Sequence, residues 1–462
     1  MHFVTNRTCL EELIANVLET RFENFDQATV EHAKNRILDT VGCLIGGAKD
    51  TGNSELVDII IDIGGKPESS IMIYGDKVPA HNAAMVNSIL ARSFDFEPVS
   101  PLVDGLSAPG HVSGTTIMTA LTLGEAQDIS GRELITALLV GDDIASRLLI
   151  SSGFEFSGGW DNIGTVNAFG ATAIAGHLLG LDRHQLKNAF GIVLNQLAGS
   201  MQIVWDATTA FKLNQGLSSR NGIFSARLAK GGWTGPKDAL FGEFGYYKLY
   251  TEGCRNLEAL TKDLGRKYYS DGTFKPYPCC RINHGAIDCA LAIVHKHGID
   301  AKDIQQVIIN VSSDVLNHIC GKPFETGEFP HANAAFNMRY TVATALLRKS
   351  VKLEHFTEEY IRDSLIKAFV NKIKLAELAG TGFSRVKFVV VMKDGREFNE
   401  DTDIPRGDPQ NPLSKDELIA KFWDNVEFSK TIPKGNAERL LKILEKLEEL
   451  DNVRKMVHLL IA

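Results

Sequence analysis

The chain has 462 residues, more than one ordinary hydrophobic core accommodates, so two or three domains are expected. Apolar residues make up 44% and charged residues 23%, which is typical of a globular protein and excludes a disordered one. The net charge of −8 and the absence of any basic run argue against nucleic acid as a partner.

Targeting and membrane signals are missing from the sequence. Residues 1–18 carry acids where a signal peptide is basic and then apolar, and no apolar run approaches the roughly twenty residues that cross a bilayer. The seven cysteines are an odd number without framework spacing, and neither C-x-x-C nor H-E-x-x-H is present to hold zinc. We therefore expect a reduced, cytoplasmic protein without a membrane segment or a metal site.

The first part of the chain, to about residue 265, is predicted to consist of successive helices. Asp26 can cap a helix over 27–44, in which apolar residues recur at helical spacing. Ser130 and Glu133 form a capping-box pattern, and Asp182 with Gln185 offers another helix start. Several of these helices are rich in Gly and Ala and apolar on most faces, which indicates close packing in a large all-helical domain.

The pattern changes after Asp271. Residues 307–315 and 384–401 are β-rich, and Asp394-Gly395 is typical of a hairpin turn. Helical stretches lie between them, so residues 268–403 predict a smaller α+β domain. Ser414 can cap a further helix after a proline-containing loop, and the final run, 435–462, is again an amphipathic helix. The pattern alone leaves open whether this tail rejoins the first domain or forms a separate cap.

The segment DGTFKPYPCCRINHGAIDC (271–289) concentrates residues that bind anions. Its two prolines fix φ and disfavour helix, so Lys275, Tyr277 and Arg281 are expected on a stiff, extended connection. Cations and a phenol on a rigid loop suit the recognition of a small anionic substrate. An ordinary surface loop with a solvated charge is the alternative.

Segments along nearly the whole chain, in this order and spacing, resemble the MmgE/PrpD family, which includes 2-methylcitrate dehydratase, cis-aconitate decarboxylase and iminodisuccinate epimerase. The matching segments are AKNRILDTVGCLIGG (33–47), NAAMVNSILARSFDFE (82–97), GHVSGTTIMTALTLGEAQDISGRELITALLVGDDIASRL (110–148), GTVNAFGATAIAGHLLGLD (164–182), KLNQGLSSRNGIFSARLAKGGWTGP (212–236), FKPYPCCRINHGAID (274–288) and AAFNMRYTVATALL (334–347).

The resemblance implies a mainly α protein with an α+β part. One all-helical domain would be built from 1–267 and 404–462, and an inserted α+β domain from 268–403. The active site would lie in the cleft between them. The resemblance further implies a homodimer, no metal or organic cofactor, and a small anionic carboxylate substrate as the partner.

The resemblance also suggests catalytic residues. Asp95 matches the first acid of the family's D-F-D-D-T element and would orient a histidine or act as base. His111 matches the histidine of H-P-S and is the first candidate for the general acid/base. Lys275 precedes the Y-P step and would bind a carboxylate or protonate a leaving group. Tyr340 would donate a proton or orient the substrate. Capping, surface or core roles are the alternatives for each.

Five further residues are candidates for substrate binding. They are Arg281, Arg339, Tyr277, His284 and Lys212. An arginine suits a carboxylate because its planar guanidinium can donate two parallel hydrogen bonds.

The chain departs from the family pattern in three elements. Asp161 stands at the histidine of G-x-H-P-T-G, and Val99 stands at the threonine of D-F-D-D-T. Phe211 stands at the lysine of K-R-L-H-x-G, with Lys212 one place later and Asn214 at the histidine. These changes put dehydration and decarboxylation in doubt. Asp161 paired against His111 or Lys275 could instead serve the two faces of one carbon, as epimerisation requires.

The leading hypothesis is a cofactor-independent lyase or isomerase (epimerase) that transfers a proton at a carbon alpha to a carboxylate of a small polycarboxylate-like acid. A 2-methylcitrate-type dehydratase or a cis-aconitate-type decarboxylase is the alternative. A relative that binds a metabolite without catalysis is the alternative of another class.

Overall fold

The computed structural model describes residues 6–153, 158–380 and 382–461, with side chains from residue 9 onward in these ranges. The described part is mainly helical and contains three small sheets, of two, three and four strands. The prediction of a mainly α protein with some β structure is confirmed.

The first region is predominantly helical, as predicted. Its helices are α1 (Asn6–Glu19), α2 (Gln27–Gly47), α3 (Asn53–Ile63), α4 (Ala80–Arg92), α5 (Ser113–Gln127), α6 (Gly131–Ser152), α7 (Val166–Leu178), α8 (Arg183–Leu194), α9 (Gln202–Trp205), α10 (Leu213–Lys230), α11 (Tyr246–Leu249) and α12 (Glu258–Thr261). Four short strands interrupt the series, namely β1 (Ser69–Ser70), β2 (Lys77–Val78), β3 (Val99–Val103) and β4 (Leu106–Ser107). Sequence reasoning missed these strands, because two to five residues are too few to show an alternating pattern.

The predicted helix starts are confirmed. The Asp26 carboxylate accepts the Thr29 N–H at 2.7 Å, and Ser130 and Glu133 form a reciprocal capping box. Asp182 likewise accepts the Gln185 N–H at 2.8 Å. Since each cap satisfies an otherwise unpaired backbone N–H, these residues fix where α2, α6 and α8 begin.

The central helices pack closely because the residues at their contacts are small. Residues 166–176 of α7 are all buried. A Cβ atom at Gly222 of α10 would lie 2.5 Å from the Cβ of Ala171, so the two helices can approach this closely only with glycine at that position. The predicted burial of the Gly- and Ala-rich helices is confirmed.

The second region mixes both kinds of element. Its elements are β5 (Asp271–Thr273), α13 (His284–His297), β6 (Ile304–Val311), α14 (Ser313–Asn317), α15 (Pro330–Ala335), α16 (Met338–Arg348), α17 (Glu358–Ile361), α18 (Ser364–Val370), β7 (Ile373–Glu377), β8 (Val386–Met392) and β9 (Glu397–Thr402). The strand order in the larger sheet is β7-β6-β8-β9, with only the β6–β7 pair parallel. The hairpin predicted at Asp394-Gly395 joins β8 to β9 and is confirmed. The prediction of β structure through residue 315 was wrong, because the Ser312 hydroxyl accepts the Val315 N–H and starts α14.

The last helices are α19 (Lys415–Ser429), α20 (Lys434–Glu445) and α21 (Arg454–Leu459). Ser414 caps α19 through a capping box with Glu417, as predicted. The single helix predicted over 435–462 was wrong, because residues 446–453 interrupt it, and residue 462 lies outside the described residues. Apolar side chains of α19, α20 and α21 share one buried cluster with those of α2, α4, α5 and α6, so the tail packs on the first region.

Two contacts join the regions where the cavity described below is found. Strand β3 pairs antiparallel with β5, with Val99 opposite Thr273. The loop 403–411 returns to the same place, where the Phe274 N–H donates to the carbonyl of Gly407 at 3.0 Å. None of the helices in the described ranges is both long and apolar enough to cross a membrane.

Candidate active site

A cavity of about 500 Å³ lies between the first region and the α+β region. Its charged and polar lining includes Arg92, Asp95, Ser100, His111, Asp161, Cys280, Arg281, His318, Ser384 and Asp408. A larger and more open groove, of about 870 Å³, borders Phe96, and its lining in the described ranges contains charged residues but no histidine. The smaller cavity therefore has the features of a small-molecule site, with a few convergent polar groups in a cleft between structural units.

Five side chains, Arg92, Asp95, Glu97, His111 and Lys275, form a compact group that we call the charge cluster. The Arg92 guanidinium contacts the Asp95 carboxylate and lies 3.0 Å from Glu97. Lys275 Nζ lies 3.0 Å from Asp95 Oδ2 and donates to the Asp95 carbonyl at 2.6 Å. The imidazole of His111 lies 3.0 Å from Glu97 through Nδ1 and 3.7 Å from Asp95 through Nε2. Two cations and two carboxylates thus surround one histidine.

The segment that follows α4 supplies both acids of the charge cluster, Asp95 and Glu97. Asp95 adopts a left-handed backbone conformation, with φ of 49°, which is uncommon for a residue other than glycine and clusters at functional sites. Lys421 of α19 supports this segment from behind, donating to the Phe96 carbonyl at 2.7 Å and to Asp39 at 2.8 Å. The tail of the chain thus helps to hold the residues that face the cavity.

His111 is held by its own backbone. Its carbonyl accepts the side-chain amide of Asn167 at 2.7 Å. The next two N–H groups, of Val112 and Ser113, donate to the buried Asp271 carboxylate at 3.0 and 2.7 Å. Burial raises the pKa of Asp271 to about 7, although the Ser113 hydrogen bonds lower it. Asp271 therefore fixes the start of α5 and, with it, the position of the imidazole.

The acids of the cluster are ionised. Burial alone would raise the pKa of Asp95, but Arg92 and Lys275 hold it well below the usual value. The pKa of Glu97 is likewise lowered, because Arg92 and the hydrogen bond from His111 outweigh burial. Both groups therefore remain carboxylates at neutral pH.

His111 is neutral at the same pH. Burial, followed by the charges of Arg92 and Lys275, lowers its pKa, although Glu97 opposes the shift. Because an ionised Glu97 can only accept, we assign the Nδ1–H group as its donor, which leaves the lone pair on Nε2. The Arg92 nitrogen that also lies 3.1 Å from Nδ1 then donates to the Asp95 and Glu97 carboxylates. The residue is 20% exposed, whereas the four others of the cluster are buried, so this imidazole can reach a ligand in the cavity.

Asp95, Glu97 and His111 place their ligand atoms close enough together to hold a metal ion. The Arg92 guanidinium, however, contacts Asp95 and lies 3.0 Å from Glu97 Oε1 and 3.1 Å from His111 Nδ1. A guanidinium therefore supplies the positive charge among these three groups.

Asp161 lines the same cavity and is buried. Its carboxylate accepts the amide of Asn214 at 2.8 Å and the N–H of Ile163 at 3.0 Å. Asp161 and Asn214 occupy positions where the resemblance places histidines, so a hydrogen-bonded acid–amide pair takes their place. Phe211 stands where the family's K-R-L-H-x-G element has a lysine, and its ring lies 5.6 Å from the Arg92 guanidinium.

Arg281 lines the cavity from the α+β region. Its guanidinium donates to the carbonyls of Arg406 and Pro405, at 3.1 and 3.2 Å, and lies 3.7 Å from the Asp408 carboxylate. With the charge cluster on the other wall, Arg281 is in a position to bind a carboxylate of a ligand.

Two residues proposed from the sequence lie away from the cavity. The buried Tyr340 donates its hydroxyl proton to the carbonyl of His355, and burial raises its pKa. Arg339 donates to the carbonyls of Gly321 and Lys322, each at 2.7 Å. Both positions open α16, and the structure uses their side chains to tie that helix to neighbouring loops.

Three more predicted binding residues also have partners elsewhere. Tyr277 donates to Asp288 at 2.8 Å and lines the larger groove. The buried His284 lies 3.2 Å from the Cys279 carbonyl through Nε2, and burial lowers its pKa well below the usual value. Lys212 forms a buried ion pair of 2.6 Å with Asp50. The structure does not bring these three side chains to the cavity.

Sequence reasoning missed two members of the cluster, Arg92 and Glu97. The signal was present in ARSFDFE, where an arginine and two acids lie within six residues. Since helical spacing makes Arg92 look like the last residue of an ordinary amphipathic helix, only the turn at Asp95 reveals that all three converge.

Two family models together match most of the chain. A model of the MmgE/PrpD N-terminal domain matches residues 11–256, and a model of the MmgE/PrpD C-terminal domain matches residues 277–449.

The chain belongs to the MmgE/PrpD family.

Curated relatives of this MmgE/PrpD protein are enzymes. A cis-aconitate decarboxylase of Mus musculus is 26% identical over 83% of this chain and 79% of the relative. A human cis-aconitate decarboxylase is 25% identical over 93% of this chain and 90% of the relative. A third, from Aspergillus terreus, is 23% identical over 85% and 84%. The chain is an enzyme of the MmgE/PrpD type, and its relatives are lyases.

Proposed function

We propose that this enzyme is a lyase that removes the proton next to a carboxylate of a small polycarboxylate and then expels a hydroxyl group as water, a dehydratase-type reaction. The observation that carries the proposal is the state of His111. The imidazole is neutral, Glu97 holds its Nδ1–H, and Nε2 bears the lone pair beside the cavity.

The charge cluster supplies what the first step requires. His111 Nε2 takes the proton from the carbon, and the imidazolium that forms lies between the carboxylates of Glu97 and Asp95. Arg92 and Lys275 place fixed positive charge beside the anion that develops on the substrate, and Arg281 binds a carboxylate from the other wall. His111 then returns its proton to the departing hydroxyl group, which leaves as water.

The charge of the cavity limits the substrate. Asp161 adds a carboxylate to the wall of the cavity on which Arg92 already forms ion pairs with Asp95 and Glu97. A further substrate carboxylate at Asp161 would be repelled, whereas a hydroxyl group could donate to it. We infer a small hydroxy acid with two carboxylates, bound with its hydroxyl group towards Asp161.

Decarboxylation is the second candidate, because the relatives named above are cis-aconitate decarboxylases. Loss of carbon dioxide leaves a carbanion that must receive a proton, so its catalytic histidine would begin protonated. The lowered pKa of His111 favours proton removal instead. Epimerisation shares that first step, and it stays a prediction that the family relatives do not favour over a lyase.

Hydrogen exchange tests the proposal. In deuterated water, candidate hydroxy acids should gain deuterium at the carbon alpha to the carboxylate, and water loss should follow without release of carbon dioxide. Release of carbon dioxide without exchange would favour decarboxylation. Exchange with inversion and no water loss would favour epimerisation, and ligand stabilisation without any reaction would favour a binding protein. Because Arg92 supplies the cation of the cluster, chelators should leave the rate unchanged.

We also propose that the chain divides into a helical domain, 1–267 with 404–462, and an α+β domain, 268–403. Two apolar clusters, one mainly of α2–α6 with α19–α21 and one mainly of α13–α18 with β6–β9, support this division. Phe94, Phe96 and Phe211 of the helical part extend into the second cluster, where the two parts meet.

A homodimer is proposed as well. Exposed isoleucines on α3, namely Ile59, Ile61 and Ile63, support it, and sedimentation of the purified protein tests it.

A further inference from the structure

Two histidines of the described residues line the cavity, and the reaction proposed above uses one of them, His111. The other is His318, which belongs to the α+β region, as Arg281 does. His318 is partly exposed, so its ring can contact a ligand in the cavity. The hydrogen bonds of this ring decide what such a contact can do.

A backbone N–H group fixes the tautomer of His318. The N–H of Cys320 donates to its Nδ1 at 3.3 Å. An imidazole nitrogen that accepts a hydrogen bond carries a lone pair, so the ring is neutral and its proton is on Nε2. Burial and the charge of Lys322 lower the pKa of His318 to about 4, which agrees with a neutral ring at pH 7.

The two imidazoles of the cavity therefore have opposite hydrogen-bonding properties. His111 donates its Nδ1–H to Glu97 and has the lone pair on Nε2, whereas His318 accepts at Nδ1 and has the proton on Nε2. One is a base and the other is a hydrogen-bond donor, and both border the same cavity. A reaction that removes a proton and builds up negative charge requires one group of each kind.

The short turn that follows His318 holds the imidazole in place. The N–H of His318 donates to the Val315 carbonyl at 3.2 Å, and its carbonyl accepts the Gly321 N–H at 3.0 Å. Arg339 donates to the Gly321 carbonyl at 2.7 Å, and the Phe383 ring packs edge-on against the imidazole, with centroids 5.9 Å apart. A donor that is already in position needs no reorganisation when charge develops on a ligand.

We propose that His318 is a second catalytic residue of this cavity. Its Nε2–H group donates to the substrate carboxylate next to the carbon that loses its proton, and it stabilises the negative charge that moves onto the carboxylate oxygens. This inference rests on the function proposed above, and it adds the group that stabilises the intermediate.

The electron pairs balance with His318 unchanged. When the C–H bond breaks, the proton goes to His111, and the electron pair forms a C=C bond to the carboxylate carbon. This gives an aci-carboxylate, in which both oxygens carry negative charge. The pair then forms the C=C bond of the product while the C–O bond breaks, and the departing hydroxide takes the proton of His111 and leaves as water. His318 keeps its own proton throughout.

A neutral donor suits this step. In the proposed reaction, Arg281 already supplies the positive charge that binds the substrate carboxylate. A neutral Nε2–H group contributes most when the charge on the oxygens increases, so it stabilises the transition state more than the bound substrate. Removing His318 should therefore affect kcat more than KM.

Two substitutions of His318 separate this role from a purely structural one. His318→Asn keeps an acceptor for the Cys320 N–H but removes the donor at Nε2, so it should lower kcat by about a hundredfold with KM within about threefold. His318→Gln loses that acceptor but brings an amide N–H to the position of Nε2, so it should recover most of the rate while being less stable to denaturant. A residue that only capped the turn would give the reverse order of rates, and that result would overturn the proposal.

Binding without turnover separates a failure of this assignment from a failure of the proposed function. The probes are succinate and the nitronate of 3-nitropropionate, whose planar group resembles an aci-carboxylate and carries its charge on two oxygens. In titration calorimetry, the wild type should bind the nitronate at least about tenfold more tightly than succinate, and His318→Asn should lose this preference.

The outcomes of the binding measurement are distinct. An equal preference in the wild type and in His318→Asn, or no preference in the wild type, would overturn the role of His318. If the preference depends on His318 but hydroxy acids neither exchange hydrogen nor lose water, the proposed function fails and the donor role of His318 is supported.

Discussion

Two buried clusters in this molecule contain the same three residue types. In the first, Lys275 lies 3.0 Å from Asp95, and His111 approaches the same carboxylate. In the second, Lys212 lies 2.6 Å from Asp50, and His331 Nδ1 lies 2.9 Å from it. We call the latter the second cluster. Each joins the first region to the α+β region, so residue type and pairing do not distinguish a site from a structural tie.

The surroundings of the two histidines do distinguish them. His111 has a second carboxylate, Glu97, that fixes its tautomer, and it reaches the 500 Å³ cavity. His331 is ringed by phenylalanines, with centroids 4.4 Å away for Phe94 and 5.6 Å for Phe329, and its Nε2 has no partner. The second cluster borders a smaller cavity of about 320 Å³, but His331 is only 6% exposed, whereas His111 is 20% exposed. A histidine in a buried ion pair is therefore a candidate catalytic group when a second carboxylate accepts its N–H group and its other nitrogen is accessible to a ligand.

The largest expected effect comes from substituting the histidine of each cluster. His111→Gln should lower kcat by at least about a hundredfold, because it removes the general base. His331→Gln is the matched control and should keep kcat within about threefold of the wild type, since it removes a ring that serves packing. Equal losses of kcat in the two variants would contradict the distinction between the clusters.

The two lysines sharpen the comparison. Lys212→Met removes the lysine partner of the buried Asp50 and should lower the free energy of unfolding by about 3 to 5 kcal/mol. Lys275→Met should cost less stability, because Arg92 still pairs with Asp95. Of the two, Lys275→Met should also lower kcat in the protein that stays folded, because it removes charge beside the developing anion. Chemical denaturation and initial rates measure the two effects. A normal kcat in Lys275→Met would remove this lysine from the mechanism.

Asp271 tests how the first cluster holds its histidine. Asp271→Leu should lower kcat by about tenfold and destabilise the chain by about 1 to 3 kcal/mol, because two buried N–H groups lose their acceptor. Asp271→Asn keeps an acceptor oxygen and should restore most of the rate. Since burial raises the pKa of the native acid to about 7, the amide mimics its protonated form. An Asn variant as slow as the Leu variant would show that the charge matters.

Tyr340 gives the smallest expected effect. Tyr340→Phe should leave kcat unchanged and lower the free energy of unfolding by about 1 kcal/mol, because its hydroxyl group bonds a backbone carbonyl in the core. A loss of kcat by a hundredfold would instead restore the catalytic role predicted from the sequence.

These regions also show how far the sequence could lead. Helix caps such as Asp26 and Ser130 are local, so the elements they start were predictable. Asp95, His111 and Lys275 were proposed from family motifs, and the structure brings these three together. Tyr340 also matched a motif, yet its surroundings are set by the packing of α16, which no local pattern reveals.

The missed residues have the same explanation. Arg92 and Glu97 join the cluster only because the backbone turns at Asp95 with a positive φ, and a sequence pattern does not encode that turn. Asp161 stood out as a departure from the family pattern, but its pairing with Asn214 depends on a contact across 53 positions of the chain. Long-range contacts of this kind decide which polar residues face a cavity.

The pH dependence of kcat/KM tests the central claim, that His111 acts as a neutral base, most directly. The pKa of His111 is lowered below its usual value of 6.5, so with rising pH the imidazole loses its proton and becomes the active base before pH 6.5 is reached. The wild type should therefore gain activity with rising pH and be level above pH 6.5, and the residual activity of His111→Gln should lack this acid limb. Activity that falls as pH rises through the same window would mean that the protonated imidazole is required, and would contradict the account.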